Sequence, residues 1–214
     1  VHLVGSQGAG SDNNRFGNCE IYSTSAIPNS KNIMLSSVGA AGFVNDNDSI
    51  INCRFYDFAA YGIQLSDYSN GWVISGNSLY NTATVNYVSD VAFIKISSLN
   101  AIAASHQVTN NYFGGTAANC QGNAMSAGYF STFSFIDIAG KAVVSNNYFR
   151  RVRLYNGSNS INNSVVNFIL ARLVPAQVTY VIDNNYFGSS SLSDSLHVSS
   201  NSSSVDMEVN GISM

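Results

Sequence analysis

Apolar and polar positions alternate along this chain in short bursts that fall into two interleaved series. The first is apolar, variable, apolar: Val1-His2-Leu3, Ile33-Met34-Leu35, Ile63-Gln64-Leu65, Ile94-Lys95-Ile96, Ile136-Asp137-Ile138, Phe168-Ile169-Leu170 and Leu196-His197-Val198. Period-two alternation rich in β-branched residues predicts strands with one buried face. In the second series an apolar residue is followed three positions later by Asn or Cys, and two later by Ile, Phe or Leu. Its copies are Phe16/Cys19/Ile21, Ile50/Cys53/Phe55, Ile74/Asn77/Leu79, Val108/Asn111/Phe113, Val144/Asn147/Phe149 and Ile182/Asn185/Phe187. A weaker seventh copy is expected at Met207 to Ile212.

Both series recur at roughly 24 to 42 residues, an interval that predicts stacked repeats running through residues 1–214 as one domain. With no helical segment between strands, βαβ units are excluded. A coil in which each strand pairs with its counterpart one turn later satisfies the backbone edges and buries the apolar face. The predicted fold is therefore all-β, a right-handed parallel β-helix of about six to seven turns, roughly 30 Å long at about 4.8 Å per turn. A β-sandwich is the competing fold, disfavoured because hairpin signals such as Asn-Gly are scarce. The Asn column is expected to adopt left-handed geometry at a tight bend and to bond from turn to turn as a ladder. Asn77, Asn111, Asn147 and Asn185 would form it, extended by Cys53 and Cys19. Phe55, Phe113, Phe149 and Phe187 would stack inward beside it.

The motif from Ile50 to Phe55, followed by Gly62-Ile63-Gln64-Leu65, resembles the right-handed parallel β-helix repeat of pectin-lyase-like proteins. That resemblance implies the fold for the whole chain. It also implies a range of functions: polysaccharide lyases and hydrolases, carbohydrate epimerases, bacteriophage tailspikes and bacterial surface adhesins.

Composition narrows the partners. Charged residues are only 10 % and net charge is −3, so neither nucleic acid nor an anionic membrane attracts the chain in bulk. No run of about 18 apolar residues predicts a membrane span. Three cysteines without a C-x-x-C spacing argue against metal or redox chemistry, and no cofactor is expected. Cys19 and Cys53 read as small stacked thiols, with a disulfide between them as the alternative. The chain opens in mid-pattern and shows no capping helix, so it is expected to be a segment of a longer protein. Flanking domains or a homotrimer would cover its ends.

Outward side chains of successive turns line up in columns. The first series places His2, Met34, Gln64, Lys95, Asp137, Ile169 and His197 in one column, with Lys95 and Asp137 as neighbours. In many enzymes of the resembling fold, substrate lies along that face. The candidate catalytic residues are Asp137 as acid, Asp67 as a second carboxylate about 10 Å away, and Lys95 as the tuning or binding cation. That separation suits inversion loosely, and Asp90 could fold over the same groove. A surface ion pair is the plainer reading of Lys95 and Asp137. Candidate binding residues are Gln64, the cations Arg150, Arg151 and Arg153, which suit an acidic glycan, and the repeated Tyr112, Tyr148 and Tyr186. Asp46 and Asp48 read as a polar turn rather than a calcium loop, since the required glycine and glutamate are missing. No metal site is expected, and His2, His106 and His197 have no metal-ligand spacing.

The expectation is an extracellular rod, on a virion or bacterial cell surface, that binds and could depolymerise a bacterial surface polysaccharide. Were it an enzyme, an inverting glycoside hydrolase fits better than a calcium-dependent lyase. The alternative is a non-enzymatic adhesin or filament module.

Overall fold

A computed structural model describes residues 1–4, 10–23, 33–87, 90–98, 104–156, 164–172, 179–188, 195–200 and 207–214. The two alternating series form parallel sheets stacked turn on turn, the architecture of a parallel β-helix. A seven-stranded sheet runs through His2–Val4, Ile33–Val38, Tyr61–Leu65, Val91–Ser97, Thr132–Ala139, Ser164–Ala171 and Met207–Ser213. A second, six-stranded sheet begins at Arg15–Gly17 and ends at Tyr180–Asp183, and a third runs from Glu20–Tyr22 to Tyr186–Phe187. Between the third sheet and the first lies a four-stranded sheet of Val85–Asn86, Met125–Gly128, Val152–Asn156 and Leu196–Ser200. Asn45–Asp46 and Ser69–Asn70 form a short fifth pairing.

The expected ladder sits at the corner between the second and third sheets. Asn111 shows its full pattern. Its Oδ1 accepts the backbone N–H and the Nδ2 of Asn77, both at 3.0 Å. Its Nδ2 donates to Asn147 Oδ1 at 3.0 Å and to Ile74 O at 2.9 Å. Asn147 repeats the pattern onto Asn185, and Cys53 N–H joins at Asn77 Oδ1. The ladder residues do not make the left-handed bend, however. The positive φ belongs to the residue before each: Asn18, Asn52, Gly76, Asn110, Asn146 and Asn184, at 49° to 68°. One residue turns the chain, which Asn and Gly tolerate, and that frees its successor to point its amide inward.

Inside the ladder, Phe55, Phe113 and Phe149 are fully buried, while Phe187, on the last rung, is 39 % exposed. Phe113 and Phe149 stack at 4.9 Å between centroids, and Phe135 from the seven-stranded sheet packs edge-on against both at 5.9 and 5.6 Å. Such contacts add about 0.5–1.5 kcal/mol each beyond area burial. Trp72 is core, its indole donating to Asn45 O at 2.9 Å.

The sequence series mis-assigned three positions and one copy of the motif. Register pairs His2 with Ser36, and Ser36 with Gln64, so position 34 leaves the outward column; the Met34 side chain lies outside the described residues. Ile169 pairs with Ile136 and is buried, whereas Leu170 faces Asp137. Leu196-His197-Val198 belongs to the four-stranded sheet, and Met207–Ser213 closes the seven-stranded sheet instead of repeating the ladder motif. Alternation reports an inward face without saying which sheet that face lines.

His106 is fully buried, its Nδ1 accepting the Trp72 N–H at 3.3 Å, and burial lowers its pKa to about 4. Between about pH 6.5 and 4 the unfolded chain then binds a proton that the folded chain refuses. Stability should therefore fall with pH across that window, by on the order of 3 kcal/mol. Urea unfolding as a function of pH, compared with His106→Gln, isolates this term, which the variant lacks. Asn111→Ala should cost about 3 kcal/mol, because the buried amides of Asn77 lose their acceptor. Asn110→Gly, one residue earlier, should stay within about 0.5 kcal/mol of wild type because glycine accepts the positive φ.

Candidate functional site

The outward column of the seven-stranded sheet reads His2, Ser36, Gln64, Lys95, Asp137, Leu170 and Ser213. Lys95 and Asp137 are neighbours, as expected, but each is committed elsewhere. Asp137 is 5 % exposed, and both carboxylate oxygens accept from Arg172, Oδ1 from Nε at 2.6 Å and Oδ2 from Nη2 at 2.8 Å. These bonds raise the guanidinium pKa above its ordinary value. The Tyr180 hydroxyl fixes the same residue by donating to Arg172 O at 2.6 Å. Lys95 Nζ contacts the Tyr61 hydroxyl at 3.2 Å and stands 4.8 Å from that ring's centroid. Gln64 lies half-buried beside Lys95. Asp67 sits in the turn after Tyr61–Leu65, where its carbonyl accepts the Gly39 N–H at 3.1 Å. Asp90 accepts the Thr132 N–H at 3.1 Å. With each oxygen bound by Arg172, Asp137 is committed to an ion pair within this face.

The third sheet carries the predicted tyrosines. Tyr112, Tyr148 and Tyr186 stack at 5.1 and 4.8 Å, nearly parallel. A second stack that sequence reasoning missed, Tyr22–Tyr56–Tyr80, occupies the other outward column at 4.6 and 5.0 Å. Register places Glu20, Arg54 and Ser78 in line with Tyr112, Tyr148 and Tyr186, so the aromatic column changes sides between the third and fourth turns. Glu20 and Arg54 pair at 3.1 Å in the first half. Within each stack the inner ring faces are occupied by neighbouring rings. What the surface receives is a row of edges and hydroxyls, with Tyr22 and Tyr186 the exposed end rings. Arg150 lies 5.2 Å from the Tyr148 ring centroid.

The clearest recess lies over the four-stranded sheet, a concavity of about 420 Å³ lined by Thr84, Ser126, Arg153, Tyr155, His197 and Ser199. Ser126, Arg153 and His197 follow one another across three strands, as do Gly128, Tyr155 and Ser199. Alternation sends Ala127, Leu154 and Val198 inward and these side chains outward. The recess exists because its floor is small. Tyr155 lies across Gly128, where a Cβ would meet its ring at 2.6 Å, and its hydroxyl reaches Asn86 Oδ1 at 3.0 Å. Tyr129 braces the ring edge-on at 6.1 Å. Arg153 and His197 are exposed neighbours, and among the described residues no carboxylate lines the recess. Arg151 turns away at positive φ and donates to Gly122 O at 2.6 Å. Of the three clustered arginines, only Arg153 faces this recess. Its companions were legible in the shared pattern of Met125-Ser126-Ala127-Gly128, Val152-Arg153-Leu154-Tyr155 and Leu196-His197-Val198-Ser199.

At the acidic turn, Asp12 Oδ1 accepts the Asp46 N–H at 2.8 Å, and Asp48 Oδ1 accepts from Asn14 N and Nδ2. Burial raises both Asp46 and Asp48, the charge of Asp12 adding to it. Among the described residues no three His, Cys, Asp or Glu side chains gather as metal ligands. Among the described residues no helix is long and apolar enough to cross a membrane. Comparison with protein-family models, curated proteins and solved structures finds no match to this chain.

Asp137→Asn should lower stability by about 2 kcal/mol, a discounted buried-pair value because the Arg172 side chain is half exposed. Arg172→Gln should cost at least as much, since it leaves the buried carboxylate uncompensated. A double-mutant cycle read by urea unfolding should return a coupling of about 1–2 kcal/mol.

Proposed function

We propose that this protein is an extracellular solenoid, on a virion or bacterial cell surface, that recognises an acidic surface polysaccharide and leaves its glycosidic bonds intact. The observation that carries this reading is the recess over the four-stranded sheet. It presents Arg153 beside the His197 imidazole, a fixed aromatic ring and three hydroxyls, and among the described residues no acidic side chain lines it. An arginine fork suits a uronate carboxylate, hydroxyls suit sugar hydroxyls, and an aromatic ring suits a sugar face. Its polar columns repeat about every 4.8 Å along the rod, which gives an extended polymer several equivalent places to bind.

The resemblance to pectin-lyase-like β-helices and tailspikes agrees with a glycan ligand. Binding is preferred to hydrolysis because Asp137 is engaged at both oxygens by Arg172. A retaining or inverting mechanism needs a second carboxylate placed across the scissile bond, and a groove acid locked in an ion pair is a poor proton donor. A homotrimer, or flanking domains over exposed Val209, Ile212 and Phe187, completes the rod.

An array of acidic and neutral bacterial glycans, combined with an assay for released reducing ends, tests this reading. Uronate-bearing glycans should bind without release, and Arg153→Gln should weaken them about tenfold. Release that vanishes in Asp137→Asn would replace recognition by hydrolysis. Absence of binding to every glycan would overturn the polysaccharide reading.

A further inference from the structure

The ladder that begins in Asn amides ends in sulfur. Cys53 N–H donates to Asn77 Oδ1 at 2.8 Å, and on the next rung Cys19 N–H points at Cys53 Sγ at 3.4 Å. Strands on both sides hold the two cysteines level, with Gly17 opposite Ile51 and Glu20 opposite Arg54. Neighbouring strands lie about 4.8 Å apart, within the Cα separation of about 4.4–6.8 Å that a disulfide spans. The side chains also point the same way. Cys19 Sγ donates to Gly17 O and Cys53 Sγ to Ile51 O, each at 3.4 Å and each two residues back. Burial raises the Cys53 thiol above its ordinary value.

Access is divided between them. Cys53 is buried, whereas Cys19 is half-buried and borders a concavity of about 320 Å³ with Asn18, Glu20, Asn52 and Arg54. Cys120 is buried elsewhere, its Sγ directed at the carbonyls of Phe113 and Tyr148, on the fourth and fifth turns.

We propose that Cys19 and Cys53 are an oxidation-closed staple between the first two turns of the solenoid, closed by exchange with a small disulfide such as oxidised glutathione. The accessible Cys19 loses its proton and attacks one glutathione sulfur, breaking the glutathione S–S bond and releasing one glutathione thiolate. Cys53 then loses its proton and attacks the Cys19 sulfur, displacing the second glutathione. In sum, two protein thiols are oxidised to one disulfide and one glutathione disulfide is reduced to two thiols. The staple ties a lightly buried rung to its neighbour, since neither Arg15–Gly17 nor Glu20–Tyr22 holds a fully buried residue.

The test uses the full chain, reduced and then equilibrated with oxidised glutathione, followed by alkylation, peptide mapping and amide hydrogen exchange. Two of the three thiols should disappear, the mass should fall by two hydrogens, and one peptide should link Cys19 to Cys53. Amide exchange across residues 15–22 should slow, and the melting temperature should rise by about 5 °C. Cys53→Ser should instead keep a glutathione adduct on Cys19 that dithiothreitol removes. Cys19→Ser should leave both remaining thiols unreacted, which keeps the test decisive should the first variant fold poorly. Three intact thiols, a lasting adduct on wild-type Cys19, or a link to Cys120 or to another molecule would each overturn the staple.

Discussion

A coil of short strands buries a backbone corner at every turn, and the N–H groups at that corner find acceptors only on the adjacent turn. The Asn ladder meets this constraint with one residue per rung. The amide oxygens of Asn111, Asn147 and Asn185 each take the two donors of the preceding rung, and the amide nitrogens of Asn77, Asn111 and Asn147 each serve the next oxygen and a strand carbonyl. No donor is left over, which matters because an unsatisfied buried amide costs about 1–3 kcal/mol. The ladder also fixes register. A turn displaced by one residue would break it and send the stacked Phe side chains to the wrong face. At the first two rungs sulfur replaces the amide, and the contact lengthens to 3.4 Å.

Because the ladder holds the interior constant, the exterior is free to vary, and it does so sheet by sheet. The seven-stranded sheet carries Gln64, Lys95 and Asp137 in one column, yet the acid is locked to Arg172 and the lysine to Tyr61. The third sheet carries two tyrosine stacks that change columns midway, and these rings chiefly pack on one another. Over the four-stranded sheet Arg153 and His197 border a recess, because Gly128 and Ser126 leave room under Tyr155 and Arg153. A parallel β-helix permits many functions, so local chemistry rather than the fold supports the proposed recognition.

Much of the fold was legible in the residues. The Asn/Cys ladder and the inward Phe column followed from the repeat because each role needs a particular side chain at a particular spacing. The candidate site was less legible. Lys95 and Asp137 were correctly placed as neighbours, since the strands around them carry regular alternation. Arg172 was not seen as the partner of Asp137, because it reaches back from the end of the following strand, outside any repeating pattern. His197 was assigned to the wrong sheet, and Tyr155 was overlooked.

The sequence by itself determined that this chain coils into parallel sheets and which residues line the interior, because burial and backbone satisfaction impose periods that any reader of the chain can measure. Only the tertiary structure decided which sheet each strand joins and which outward residues share a recess. It also decided that adjacent asparagines divide the bend from the ladder, and that Cys19 stands on Cys53 with its N–H directed at the Cys53 sulfur. Alternation encodes inward against outward and nothing more. Neighbourhood on the outer surface depends on the register between turns, and that is fixed by the sum of contacts along the whole coil.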